Sequence, residues 1–142
     1  MKNESWTQAV AAFDIEAESL AATKEGMDQE AFAQALDALK SAARIGVAGC
    51  GHTGISCMHF AHLMCCIERP ARFISPAEAV HGAMGYIQKG DVLVLASRGG
   101  KTQELIPMME IAKGKGATVI SVTENLDSPL ARTADIIVQL KI

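Results

Sequence analysis

Two short stretches carry residue types and spacing suited to holding an anion. The first, Gly49-Cys50-Gly51-His52-Thr53-Gly54, follows an apolar run and precedes a helix-like pattern. It satisfies the spacing G-x-G-x-x-G. Glycines let the backbone turn tightly and approach an anion, which the open amides of a helix N-terminus then bind. The second, Ser97-Arg98-Gly99-Gly100-Lys101-Thr102, also follows an apolar run and opens onto a helical pattern. It offers backbone amides, two hydroxyls and two cations, a set suited to a phosphate monoester. Taken singly, each is also compatible with an ordinary glycine turn. Two at equivalent strand ends favour a shared crevice.

Nucleotide chemistry fits less well. A nucleotide P-loop needs a glycine five positions before Gly100, where Leu95 stands. A dinucleotide site wants an acid at the end of the strand after the first loop, to meet the ribose. That strand ends in Ser75-Pro76, and Glu78 lies beyond the proline. Glu78 and His81 are three residues apart and share a face if their segment is helical. An acid and an imidazole beside a phosphate site could run proton transfers, although a histidine closing a loop hydrogen bond is the plainer reading. Cys57, His59, His62, Cys65 and Cys66 fall on one predicted helix, with His62 and Cys66 one turn apart. Two ligands fall short of a tetrahedral zinc site, so no metal is expected, and thiols buried against a sheet are the preferred reading. No cofactor is implied.

The elements that would position these loops are legible as apolar runs. Five of strand length occur at Ile45–Ala48, 71–74, Val92–Ala96, 118–122 and 136–140. They lack clean alternation, as strands covered on both faces do. Helical patterns at 53–67 and 102–113, and a short one from Ser128 with Pro129 in its first turn, separate most of them. Alternating strands and helices predict a three-layer α/β/α sandwich with a five-stranded parallel sheet. Right-handed crossovers put both glycine loops at the C-terminal edge of that sheet. Ahead of it, residues 5–25 and a segment capped by Asp28 show helical periodicity, predicting an N-terminal helical hairpin over 1–43 that packs on the body or on a partner subunit. Ser5, with Gln8 three residues on, suggests the first N-cap. Residues 44–142 form the predicted α/β unit.

Bulk properties agree with one compact domain. The chain has 142 residues, 49% hydrophobic and 20% charged, with formal net charge −3. Eight acids and three bases occupy residues 1–40, whereas eight acids and ten bases occupy 41–142. That balance lacks the clustered cations of a nucleic-acid binder but suits a body that holds a small anion. No apolar run is long enough to span a bilayer, and no apolar signal core marks the N-terminus. Four cysteines, two of them adjacent, read as reduced thiols of a cytoplasmic protein.

Together these segments resemble the SIS (sugar isomerase) domain family, closest to its arabinose-5-phosphate isomerase branch, from about residue 27 onward. Ser75-Pro76-Ala77-Glu78-Ala79-Val80-His81-Gly82 is similar to that branch's Pro-Ala-Glu-Ala-x-His-Gly block. The first loop matches the family's Gly-x-Gly-Lys-Ser-Gly, with His52 for lysine and Thr53 for serine. The second matches Ser-x-Ser-Gly-x-Thr at Ser97, Gly100 and Thr102, with Gly99 for serine. Ala83 stands where aspartate is typical. The resemblance implies an aldose–ketose isomerase acting on a phosphorylated sugar through a cis-enediol. It also implies a homodimer or homotetramer with sites near subunit interfaces.

On that resemblance Glu104 falls at a catalytic carboxylate, with His81 assisting. Gly51, His52, Thr53, Ser97, Arg98, Gly99, Gly100, Lys101 and Thr102 would surround the phosphate. The sequence ends just after the fifth strand, where that branch continues with a helical segment bearing a further glutamate and histidine. Binding is expected to survive these departures better than catalysis, so a non-catalytic sugar-phosphate-binding or regulatory module is the alternative.

Overall fold

The structure, a computed structural model, describes residues 2–141. Five strands form one wholly parallel sheet: β1 (Ile45–Ala48), β2 (Ala71–Phe73), β3 (Val92–Ala96), β4 (Thr118–Thr123) and β5 (Ile136–Gln139), in the order β2-β1-β3-β4-β5. Register is set by pairs such as Val47 with Phe73, Val47 with Val94, Val94 with Ile120 and Val122 with Val138. β1 and the body of β3 are buried on both faces, which is why their sequences run apolar without alternation. The predicted α/β sandwich is present.

Six α-helices accompany the sheet: α1 (Lys2–Gly26), α2 (Gln29–Ser41), α3 (Gly51–Cys66), α4 (Pro76–Ala79), α5 (Leu105–Gly114) and α6 (Pro129–Thr133). A 3₁₀ turn lies at Ala83–Tyr86. α5, α6, α4 and the 3₁₀ turn cover one face, around Leu93, Leu95, Leu105, Met108, Val119 and Leu130. α2 and α3 flank the other, where Ile45, Val47, Cys57, Val92, Val94 and Ile120 form a second cluster. Burying each large side chain of this kind contributes about 1.5–3 kcal/mol. At the N-terminal edge of the sheet Asp91 is 1% exposed. Its carboxylate accepts from Arg44 Nη2 at 2.9 Å, Arg44 Nε at 3.3 Å and the Gln88 N–H at 2.8 Å.

Local chemistry explains most helix starts. Asp28 Oδ1 accepts from the N–H groups of Glu30 and Ala31, at 2.8 and 3.1 Å, capping α2. Ser128 Oγ caps α6 through the Ala131 N–H, and Pro129 occupies the first turn. α1 departs from the expectation at its start. It begins at Lys2, so Ser5 lies inside the helix. α5 begins at Leu105, three residues later than its pattern suggested, because the Thr102 carbonyl accepts from the Leu105 N–H in a preceding turn.

α1 stands apart from the other helices. Nearly all its residues are exposed, and its last turns meet the end of β5, where Thr23 Oγ1 donates to the Lys141 carbonyl at 2.7 Å.

Candidate functional site

β1 and β3 are neighbours in the sheet, yet the chain leaves β1 for β2 on one side before returning to β3 on the other. α3, following β1, and α5, following β3, therefore lie on opposite faces. Such a reversal leaves a crevice outside the strand C-termini, the usual ligand position in open α/β sheets. Both glycine loops end there.

The first loop is built by close approach. A Cβ on Gly54 would lie 2.7 Å from the Gly49 carbonyl oxygen, and one on Gly49 would lie 2.9 Å from Cys57 Sγ. Gly51 adopts φ +58°, a left-handed conformation that other residues adopt at a cost. Cys50 precedes α3 without a side-chain capping bond, so the first-turn amides stay open to an anion.

The second loop is held from within and from below. Ser97 Oγ lies 2.8 Å from Thr102 Oγ1 and accepts from the Gly100 N–H at 3.1 Å. The Arg98 carbonyl accepts from Thr123 Oγ1 at 2.9 Å and the Glu124 N–H at 3.0 Å. The Gly100 carbonyl accepts from the Leu130 N–H at 3.3 Å. Thr123 and Ser128 are fully buried beneath the loop; the sequence marked Ser128 only as the start of a short helix and did not single out Thr123. Their role depends on contacts more than twenty residues away, which spacing alone does not reveal. Meanwhile the N–H groups of Gly99, Lys101, Thr102, Gln103 and Glu104 donate to no other described residue. A run of unpaired amides beside two hydroxyls can receive phosphate oxygens.

The remaining candidates separate clearly. His52, Thr53, Ser97 and Arg98 border one groove of about 580 Å³. Arg98 is exposed, and its Nε donates to Glu124 Oε2 at 2.7 Å, so its charge is already met there. Gly99 and Lys101 are exposed on the turn, and a Cβ on Gly99 would meet nothing within 4 Å. Glu104 caps α5 without a side-chain bond. Partial burial, and after it the Glu104 charge, raises the Cys50 thiol pKa, which links the two loops electrostatically. Burial, then Cys50, pushes the Cys57 thiol up to about 11.

His81 follows α4 and is exposed, with no side-chain hydrogen bond among the described residues. α4 ends at Ala79, and the His81 N–H bonds to the Glu78 carbonyl at 3.1 Å in the next turn.

The cysteine helix corrects one expectation. Cys57 is buried against the sheet, but Cys65 and Cys66 are exposed, because α3 runs its last turn past the short edge strand β2. His62 Nε2 and Cys66 Sγ do share a face, 3.6 Å apart. Among the described residues no group of three or more metal-ligating side chains forms. No helix among them is long and apolar enough to cross a membrane.

Comparison with known proteins bears on the fold and family. Residues 38–142 match the SIS domain model. The arabinose 5-phosphate isomerase KdsD of Pseudomonas aeruginosa is 39% identical over 93 residues, spanning 66% of this chain and 28% of that protein. The chain thus spans about a quarter of that relative's length. A Listeria monocytogenes structure, solved as a candidate sugar-phosphate isomerase, superposes with TM-score 0.96 at 37% identity over all of this chain and 75% of its own. A protein of E. coli CFT073 solved in complex with a sugar phosphate gives 0.85 at 28% identity, over all of this chain and 76% of its own. This chain belongs to the SIS domain family.

Proposed function

We propose that the chain binds a phosphorylated sugar between its two glycine loops and interconverts the aldose and ketose forms. The observation that carries the reading is the loop from Ser97 to Glu104, with its paired hydroxyls and unpaired amides, facing the uncapped start of α3 across the β1–β3 crevice. Ser97, Gly99, Gly100 and Thr102 take the phosphate, with Thr53 and the amides at Gly51 and His52 opposite. Lys101, whose ammonium pairs with no carboxylate among the described residues, supplies the cation. Arg98 contributes less, because Glu124 already engages it.

The reaction moves one proton between adjacent carbons. A base removes it from C2 of the open-chain aldose, and the electron pair becomes the C1–C2 double bond of a cis-enediol as the carbonyl oxygen is protonated. Returning a proton to C1, with loss of the C2 hydroxyl proton, yields the ketose. Glu104, the last residue of the amide run and the N-cap of α5, is the proposed base. His81 assists at the oxygens or in ring opening. Sites near subunit interfaces of a cytoplasmic homo-oligomer complete the reading.

The test is an interconversion assay over five- and six-carbon sugar phosphates, with thermal shifts recorded on the same samples. Turnover that falls about 10²–10⁴-fold in Glu104→Gln, with stabilisation retained, is expected. Full turnover in Glu104→Gln removes that residue from its role. Stabilisation without turnover in the unaltered chain replaces the isomerase with a binding module.

A further inference from the structure

The two walls of the crevice carry charge of different kinds. On the β3 side stand Arg98, engaged by Glu124, and Lys101, which pairs with no carboxylate among the described residues. Guanidinium and ammonium groups keep their charge through the physiological range. On the β1 side the first loop has a single basic side chain, that of His52. It lies in the first turn of α3, beside the uncapped amides, and is exposed. Its ring makes no hydrogen bond or ion pair to another described residue, whereas that of His62 meets Cys66. Imidazole is the side chain whose charge changes between about pH 5 and 8.

No carboxylate lines the groove that His52 borders. α2 and strands β1, β3, β4 and β5 contribute apolar side chains, and the lining residues that ionise are His52, Cys57 and Arg98. Cys57 is held as a neutral thiol, pushed up to about 11 by burial and then Cys50. Cys50, two residues before His52, is also raised, by partial burial and then by Glu104. Glu104, at the start of α5, thus acts on the first loop from the opposite wall. Glu124 is taken by Arg98. Two further exposed rings stand outside the groove: His59 lies two turns along α3, and His81 follows α4. Within the groove an imidazolium therefore has one partner to gain, the anion that arrives.

We propose that the His52 imidazole receives the phosphate as imidazolium, so that the site takes up a proton together with the dianion. The proposal deepens the phosphate-site reading and rests on it. A phosphate monoester gains its second charge near about pH 6. A basic group whose pKa rises on binding adds affinity that is complete below its free value and is lost as pH climbs through its bound one. The two titrations together give affinity a maximum between them and a fall on each side. The acid fall belongs to the ligand. The alkaline fall belongs to the protein, and guanidinium, ammonium and amide groups produce none there. The raised thiols of Cys50 and Cys57 ionise only beyond it. Losing one charge-assisted hydrogen bond in this way weakens binding about 10-fold or more. Release of the ligand at alkaline pH is thus built into the first loop.

Ribose 5-phosphate serves as the probe, chosen for its phosphate. Calorimetric titration into the full chain, from about pH 5.5 to 9 and at each pH in two buffers of different ionisation enthalpy, reads affinity and proton uptake together. The unaltered chain is expected to bind most tightly between about pH 6 and 7 and to weaken about 10-fold or more by about pH 8.5, with uptake of about one proton over that fall. His52→Gln should bind more weakly at about pH 6.5 and lose the alkaline fall. His52→Lys should keep the tight binding and carry it to about pH 8.5. His81→Gln should retain the fall. His52 is exposed, so its replacement leaves the core intact, and circular dichroism verifies the fold. An alkaline fall that persists in His52→Gln, or one that disappears in His81→Gln alone, overturns the proposal. Binding by the unaltered chain that is level above about pH 7 overturns it too, and leaves the phosphate site standing. No binding at any pH, by the unaltered chain and His52→Lys alike, removes the site and the proposal together.

Discussion

Gly100 is the residue on which the second glycine loop turns, and replacing it with alanine perturbs a well-defined packing site formed by Ser128 and Thr123. Its φ is +63°, and a Cβ built there would fall on Ser128 Oγ and Cβ and lie 3.0 Å from Thr123 Oγ1. A non-glycine residue in that conformation costs about 1–2 kcal/mol. Forcing a methyl into a filled site costs a further ~1–3 kcal/mol, and Ser128 is fully buried with no room to retreat. Displacing Ser128 also loosens the cap it gives α6, worth about 1 kcal/mol. The expected loss for Gly100→Ala is therefore about 3–6 kcal/mol, read from urea denaturation, with weakened binding of sugar phosphates in the fraction that folds.

Two controls isolate the cause. Gly99→Ala has open space at its Cβ and should change stability by less than about 1 kcal/mol. Adding Ser128→Gly to Gly100→Ala should recover about 1–3 kcal/mol of the loss, leaving the conformational part. A Gly100→Ala variant within about 1 kcal/mol of the parent, or a double variant with no recovery, would refute the claim that Ser128 dictates glycine at this turn.

Other expectations follow from the same contacts. Arg44→Met leaves the Asp91 carboxylate buried without its cation, and should lower unfolding free energy by about 3–5 kcal/mol at neutral pH. Burial raises the pKa of Asp135, but the Lys113 ammonium and the Val119 N–H outweigh it and hold the group below the ordinary 3.8. A lowered folded value gives stability that is present above pH 3.8 and lost as pH falls through the folded pKa. Asp135→Asn should thus destabilise by about 1 kcal/mol near pH 6, an amount reduced by solvent screening, and the gap should close below that range. Unchanged separation of the two denaturation curves at low pH would contradict it. Thiol labelling near pH 8 should modify exposed Cys65 and Cys66 first, Cys50 more slowly and Cys57 only on unfolding, since burial and Cys50 hold Cys57 at about 11. Prompt labelling of Cys57 would show that its packing against the sheet is wrong.

The sheet was readable because its strands are short, apolar and buried on both faces. Val92–Ala96 matches residue for residue, and Ile45–Ala48 does as well. Loop positions followed from them, since a strand that ends in glycines and opens onto a helix leaves few alternatives. Helix starts were legible where a side chain caps locally, at Asp28 and Ser128. They were not at Ser5, where a cap-like residue lies inside a longer helix. Direction was the harder matter. Arg98 and Lys101 are indistinguishable by type, and what separates them is Glu124, twenty-six residues beyond Arg98 and brought near by β4. Thr123, and the contact Ser128 makes with the loop, escaped notice for the same reason. The groove over β3 and β4 has no local signature either, because it is the space between helices whose separation the sheet order sets.

The central claim is that the two loops hold a phosphate, and paired ligands test it most directly. Calorimetric titration would compare a sugar phosphate with the same sugar lacking its phosphate, on the unaltered chain and on Ser97→Ala. That substitution removes the hydroxyl linking Thr102 and the Gly100 amide. The account predicts binding of the phosphorylated sugar alone, weakened about 10-fold or more in Ser97→Ala through loss of charge-assisted hydrogen bonding and loop order. Equal binding of both sugars, or unaltered affinity in Ser97→Ala, would contradict it.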